Sequence, residues 1–187
     1  MKSNTLHIET LIEGCKKEDR LSQQALYDQY APVLLGLCRR YINVLEDAED
    51  VMIEGFYKIF SNIRQFDGRG SFEGWMKKIM VNEALMWIRK KKLIKVELNE
   101  KWPIPQEDMD LQNFELRGSE VIPLLDQLPV GYKTVFNLFV MEEYKHREIA
   151  DMLGISINTS KSQLILAKKR LKEIVENKKL KNLKPII

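Results

Sequence analysis

Cysteine and histidine are nearly absent. There are two of each in 187 residues, Cys15 and Cys38, His7 and His146, with no CxxC pair among them. That is too few thiols for a disulfide scaffold and too few soft ligands for a structural zinc site. No stretch approaches the roughly 18–20 consecutive apolar residues a membrane span needs. The opening "MKSNTLHIETLIEGCKKED" holds no apolar run long enough for a signal peptide, so the expected location is the cytoplasm. Neither strand alternation nor an internal repeat is convincing. The net charge of +3 is too small to be diagnostic by itself.

What is present is helical pattern and an uneven distribution of charge. Hydrophobic residues make up 44% and charged residues 30%, enough apolar material for one domain or two small ones. Residues 1–92 carry 15 basic and 13 acidic side chains, residues 93–119 carry 3 and 6, and residues 120–187 carry 12 and 8. An acidic segment thus lies between two basic ones. In "SQQALYDQYAPVLLGLCRRYI", Ala25, Leu26, Tyr30, Val33, Leu34, Leu37 and Tyr41 recur at spacings of three and four and predict one broad apolar helix face. Pro32 is expected to kink or split that helix. A second helix is predicted from Leu45 to Ile63, ended by the turn Phe66-Asp67-Gly68-Arg69-Gly70. Ser71 fits the N-cap of a third, with Glu73 complementing the dipole in its first turn. That helix is predicted to run to Lys92, with Trp75 and Ile79 on one face and Trp75 in the core.

Near residue 93 the period is lost. "VELNEKWPIPQEDMDLQNFELRG" has two prolines and an acidic excess, the composition of a linker. Helical patterning resumes near Ser119 and is broken at Pro129. The expected fold is all-α, with two small helical modules joined by a flexible linker. Its boundaries are residues 1–92, linker 93–119 and residues 120–187.

In the second module, "HREIADMLGISINTSKSQLILAKKRL" predicts two helices joined at Gly154-Ile155-Ser156. Ile149, Ala150 and Leu153 form one apolar face, and Leu164, Ala167, Leu171 and Ile174 the other. Gly154 suits the left-handed end of the first helix and Ser156 the cap of the second. This is the helix-turn-helix arrangement. Asn158, Thr159, Lys161, Ser162 and Ile165 project outward, followed by Lys168, Lys169 and Lys172. Polar side chains at the N-terminal end of such a helix reach base edges, and lysines further along meet phosphates. A hairpin with a solvated lysine face is the alternative.

Two features of the first module bear on function. "SFEGWMKKIMVNEALMWIRKKK" interleaves Phe72, Trp75 and Trp87 with Lys77, Lys78, Arg89 and Lys90–Lys92, a combination of stacking surfaces and cations suited to single-stranded nucleic acid. An amphipathic helix with buried tryptophans is the alternative there. In "LEDAEDVMIEGFYKIF", Asp47, Asp50 and Glu54 share a helix face, with Glu46 and Glu49 adjacent. Such a face can be solvated, can dock a basic partner, or can hold a metal, although no histidine or second carboxylate helix supports the metal.

Taken in order, "DAEDVMIEGFYKIF", "FDGRGSFEGWMKKIMVNEALMWIRKKK" and "LLDQLPVGYKTVFNLF…EIADMLGISINTSKSQLILAKKRL" resemble the extracytoplasmic-function sigma factors of bacterial RNA polymerase, over nearly all of residues 10–176. The resemblance implies a first module that binds core polymerase and opens the minus-ten promoter element, and a second that reads the minus-thirty-five element as duplex. It places Asp47, Asp50, Glu54 and Phe56 on the surface for the clamp helices of the largest polymerase subunit. It makes Asp67, Gly68, Arg69, Gly70 and Ser71 the loop that pockets a base flipped from the melted non-template strand. Asn82 falls at a contact to that strand, with Lys78 and Arg89 beside it for phosphates. Thr159, Lys161, Ser162 and Ile165 match the base-reading end of the recognition helix, next to Asn158, with Lys168 and Lys169 beyond. Ile53 replaces a glutamine-like residue of the family, Gln163 and Leu166 stand where arginine is frequent, and Ser160 replaces valine. Promoter recognition should therefore rest less on bidentate arginine–guanine pairs. No cofactor, metal, catalytic residue or small-molecule substrate is implied, and an anti-sigma factor is admitted as a further partner. A one-component regulator would need a ligand pocket, and a metal nuclease would need acids converging from several helices. The sequence shows neither.

Overall fold

The computed structural model describes residues 2–91 and 121–182, with side chains over residues 8–91 and 121–177. The chain divides at Lys91–Lys92 into two compact units. The expected linker, 93–119, lies outside the described residues. Among the described residues every regular element is helical, as the periodicity predicts.

The first unit contains α1 (Lys2–Lys16), α2 (Arg20–Tyr41), α3 (Leu45–Asn62) and α4 (Phe72–Lys90). The α2, α3 and α4 helices pack against one another, while α1 lies on α2 and on the turn that follows α3. Asp19 caps α2 by accepting from the Ser22 amide at 2.8 Å and from its hydroxyl at 2.6 Å, and those two bonds hold the Asp19 carboxyl below its ordinary pKa. Pro32 does not split α2, which is continuous from Arg20 to Tyr41. Proline removes the bond to the carbonyl four residues back, and here Pro32 and Asp28 are both exposed, so water can satisfy the carbonyl left over. Leu26, Leu34, Leu37 and Tyr41 enter the core as the spacing predicts, whereas Val33 stays at the surface.

On α3 the buried set Ala48, Val51, Met52, Gly55, Phe56 and Ile59 follows the helical repeat, with Glu46 and Asp47 at the positive end of the dipole. At Gly55 on α3, the side chain of the fully buried Met80 from α4 crosses the space a Cβ would fill. A Cβ at that position would stand 2.2 Å from the Met80 sulfur. Gly55→Ala is therefore expected to destabilise the chain by about 1–3 kcal/mol through overpacking. Thermal unfolding checks this, and in a Met80→Ala background the added cost of Gly55→Ala should shrink, because the side chain it would meet is gone. A half-buried ion pair also ties the two helices, with Lys58 Nζ 2.7 Å from Glu83 Oε1.

The second unit contains α5 (Val121–Leu125), α6 (Val130–Phe136), α7 (His146–Leu153) and α8 (Ile157–Asn182). Pro129 starts α6 at its N-cap. After Phe136 the chain widens into a π-turn, Asn137–Met141, that the sequence pattern does not predict. The α8 helix runs along α6 and α7 and touches α5, burying Leu164, Ala167, Leu171 and Ile174. A buried cation lies in this core: Lys133 is 0% exposed, and its ammonium sits 3.3 Å from Asp126 Oδ1.

Candidate nucleic-acid and polymerase interface

The loop before α4 is built from two glycines and an aspartate. Gly68 and Gly70 sit at φ 80° and 83°, a left-handed region that suits glycine. Between them Arg69 turns back: its amide donates to Asp67 Oδ1 at 3.0 Å and its Nε lies 2.9 Å from Asp67 Oδ2. Ser71 then caps α4, its hydroxyl accepting from the Gly74 amide at 3.3 Å. All five loop residues, Asp67 to Ser71, are exposed.

Behind the loop lies an aromatic cluster. Phe66 meets Phe72 edge-on at 5.0 Å, Trp75 stacks on Phe72 at 5.6 Å, and Tyr30 meets Phe72 edge-on at 6.5 Å. Trp75 and Ile79 are half-buried rather than core residues. Phe72 supplies the stacked support that leaves part of the indole accessible. Continuing along α4, Lys78, Asn82 and Arg89 are all exposed. At 3.6 residues per turn they lie within about 40° of one another, and from Lys78 to Arg89 the helix rises about 16 Å. That is the length of about five nucleotides at 3.4 Å each. Lys77, by contrast, pairs with Glu73 at 2.6 Å, and Lys91 lies over the Trp87 ring at 5.4 Å.

A second surface runs along α3. Glu46, Glu49, Asp50, Ile53, Glu54 and Tyr57 are exposed on its outer side. Ile53 is 56% and Tyr57 70% exposed, so two large apolar side chains stand one helical turn apart among carboxylates. Asp47 is half-buried, 4.0 Å from Lys91 Nζ. Phe56 is not on this surface. It is 3% exposed and packs on Tyr27 at 4.7 Å and on Phe60 at 5.9 Å, so it supports the helix from within. Sequence reasoning missed Tyr57, although its spacing of four from Ile53 makes the two neighbours and its spacing of seven from Asp50 puts it on the same helix face. Among the described residues no three His, Cys, Asp or Glu side chains gather as a metal site, and no helix is long and apolar enough to cross a membrane.

The third surface is the hairpin of α7 and α8. Gly154 ends α7 at φ 66° and ψ 37°, its amide donating to the Ala150 carbonyl. Ser156 caps α8, accepting from the Thr159 amide at 2.9 Å, and the Ser156 and Thr159 hydroxyls are 2.8 Å apart. Ile149 and Ala150 on α7 and Leu164 and Ala167 on α8 are buried, and the two helices pack together. Outward from that seam Asn158, Lys161 and Lys169 are exposed, while Thr159, Ser162, Ile165 and Lys168 are half-exposed. His146 opens α7, and its Nδ1 lies 2.9 Å from the hydroxyl of the buried Ser160. The imidazole also stacks on Phe139 at 4.5 Å. Burial, with the charges of Lys161 and Lys168, holds its pKa below the ordinary histidine value, so the ring is neutral at pH 7.

An exposed glycine loop leading into a helix in one unit and a helix-turn-helix in the other have counterparts in known proteins. Residues 26–94 match the family model for Sigma-70 region 2, and residues 120–171 match that for Sigma-70, region 4. The RNA polymerase sigma factor SigV of Bacillus subtilis is 30% identical over 132 residues, 71% of this chain and 78% of its own length. The chain belongs to the sigma-70 family, in its extracytoplasmic-function group. The ECF RNA polymerase sigma-E factor of Haemophilus influenzae is 26% identical over 182 residues, covering 91% of this sigma factor and 94% of its own length. The structure of CnrH in complex with the cytosolic domain of CnrY has the same fold, with a TM-score of 0.50 at 18% identity over 90% of this sigma factor and 96% of that chain. Sigma factors are non-enzymatic proteins of transcription initiation that bind core RNA polymerase and DNA, and this sigma factor acts in transcription initiation.

Proposed function

We propose that this sigma factor divides its work between its two units. Residues 1–92 bind core polymerase through the outer side of α3 and hold the melted non-template strand along the Asp67–Ser71 loop and α4. Residues 120–187 read the upstream promoter element as duplex with the first turns of α8, and 93–119 cross the polymerase between them. The observation that carries this assignment is the series running away from the glycine loop along α4, the half-buried Trp75 and the exposed Lys78, Asn82 and Arg89. It combines a ring for stacking, an amide for a base edge and cations for phosphates, at a length that suits a short single strand. The chain needs no cofactor, metal or small-molecule substrate for this role, catalyses no reaction itself and works in the cytoplasm.

An anti-sigma factor is a further partner. The support is that the solved relatives of the same fold include the sigma factor RpoE of Bartonella quintana, in complex with the anti-sigma factor NepR. The test of the division of labour is reconstitution with bacterial core polymerase and a promoter selected from a random pool. The full chain should direct transcription. Substitution of Lys78 and Arg89 by alanine should abolish strand opening while leaving the polymerase complex intact on gel filtration. Unchanged opening would overturn the assignment of α4.

A further inference from the structure

The seam between α7 and α8 is apolar except at one end. There the hydroxyl of Ser160, 0% exposed, meets His146 Nδ1 at 2.9 Å. The ring is held on its other side by its stack on Phe139, in the π-turn. One imidazole thus joins the π-turn, the start of α7 and the first turn of α8. Ser160 lies between Thr159 and Lys161, two of the residues expected to meet base edges.

Apolar packing along Ile149, Ala150, Leu164 and Ala167 opposes separation of the helices but has little directional preference. A hydrogen bond to a buried hydroxyl does have one, because a small rotation leaves the Ser160 hydroxyl without a partner in a low-dielectric site. Side-chain ends stand about 5–6 Å from a helix axis, so a rotation of about 20° displaces them by about 2 Å. That displacement takes a donor outside hydrogen-bonding range of a base edge.

We propose that His146 is a positioning residue for promoter reading: through Ser160 it fixes the rotation of α8, and so where Thr159 and Lys161 meet the bases. This rests on α8 being the duplex-reading helix. Phosphate contacts by lysines on long flexible stems tolerate such a rotation, whereas base contacts do not. The effect therefore falls on discrimination rather than on general affinity.

The test uses His146→Phe, which keeps a ring on Phe139 without the nitrogen, Ser160→Ala, and the two combined, in the full chain bound to core polymerase. The probe is an upstream duplex selected from a randomised pool by the wild-type complex, set against single-base variants of it. Each single variant is expected to lose about tenfold in the ratio of affinities for selected and altered duplex, the discrimination of about one base contact. Affinity for unrelated duplex and its dependence on salt should stay at wild-type values. In the double variant neither polar group is left unpaired, so the thermal midpoint should return towards wild type while the discrimination stays lost. A double variant that discriminates like wild type overturns the proposal and leaves only a structural role for the pair. A wild-type complex that does not discriminate at all removes α8 as the reader, and the inference falls with it.

Discussion

Replacing Tyr57 with alanine is expected to weaken binding to core polymerase by about 30-fold, on the order of 2 kcal/mol, without unfolding α3. Tyr57 is 70% exposed, so its truncation should cost little stability. A large amphipathic ring beside a second exposed apolar side chain, Ile53, is the kind of anchor that dominates an interface. The carboxylates around it are expected to act differently. Asp50 and Glu54 are exposed at the rim of this pair, where charges chiefly steer a basic partner and set the association rate. Reversing both to lysine should slow association steeply at low salt and less at high salt, because screening shortens the reach of surface charge. Tyr57→Ala should instead raise the dissociation rate at every salt concentration. Surface plasmon resonance against core polymerase separates the two effects, and circular dichroism verifies the helix. If Tyr57→Ala binds as wild type, the outer side of α3 is not the polymerase surface.

The helices themselves were legible because one-sided burial imposes a period. The boundaries of α3 and α4, the Ser71 cap, the left-handed Gly154 and the Ser156 cap all follow from local chemistry that the sequence carries. Pro32 was expected to kink or split its helix, and the split does not occur because its cost depends on whether water reaches the orphaned carbonyl, a property of exposure in the folded unit rather than of the residue. The π-turn at Asn137–Met141 adds one residue to a turn and so leaves hardly any trace in a periodicity count. Phe56 is a different kind of miss. A family pattern gives a position but no direction, and Phe56 lies about 120° around α3 from Asp50 at 3.6 residues per turn. Helical arithmetic alone would have placed it in the core and Tyr57 on the surface. The His146–Ser160 contact joins residues 14 apart across a turn, and no local rule pairs them.

Asn82→Ala is expected to reduce the fraction of open promoter complexes by about fivefold to tenfold while leaving duplex affinity almost unchanged. Asn82 sits mid-helix on α4, exposed, between Lys78 and Arg89 on one face. Asparagine is a weak helix former, costing about half a kcal/mol or more relative to alanine at such a site, so the substitution should leave the fold as stable or slightly more so. What it removes is an amide that both donates and accepts, the complement of an unpaired base edge. In duplex DNA those edges are paired and stacked, so the amide gains its partner only when the strand opens. A hydrogen bond made only in the open state contributes its full net value, about 1 kcal/mol, to opening and nothing to duplex binding. Lys78 and Arg89, in the phosphate-binding role proposed for them, would act in both states, so their removal should weaken both. Permanganate footprinting of thymines in the promoter bubble, with duplex affinity measured on the same preparations, reads the two quantities separately. Equal loss in both would mean that Asn82 contacts the backbone, and no loss in either would move the strand-holding surface away from this face of α4. Asn82→Asp is the discriminating companion. It keeps the shape and an acceptor but loses the donors and adds a negative charge beside phosphates, so it should open less well than Asn82→Ala.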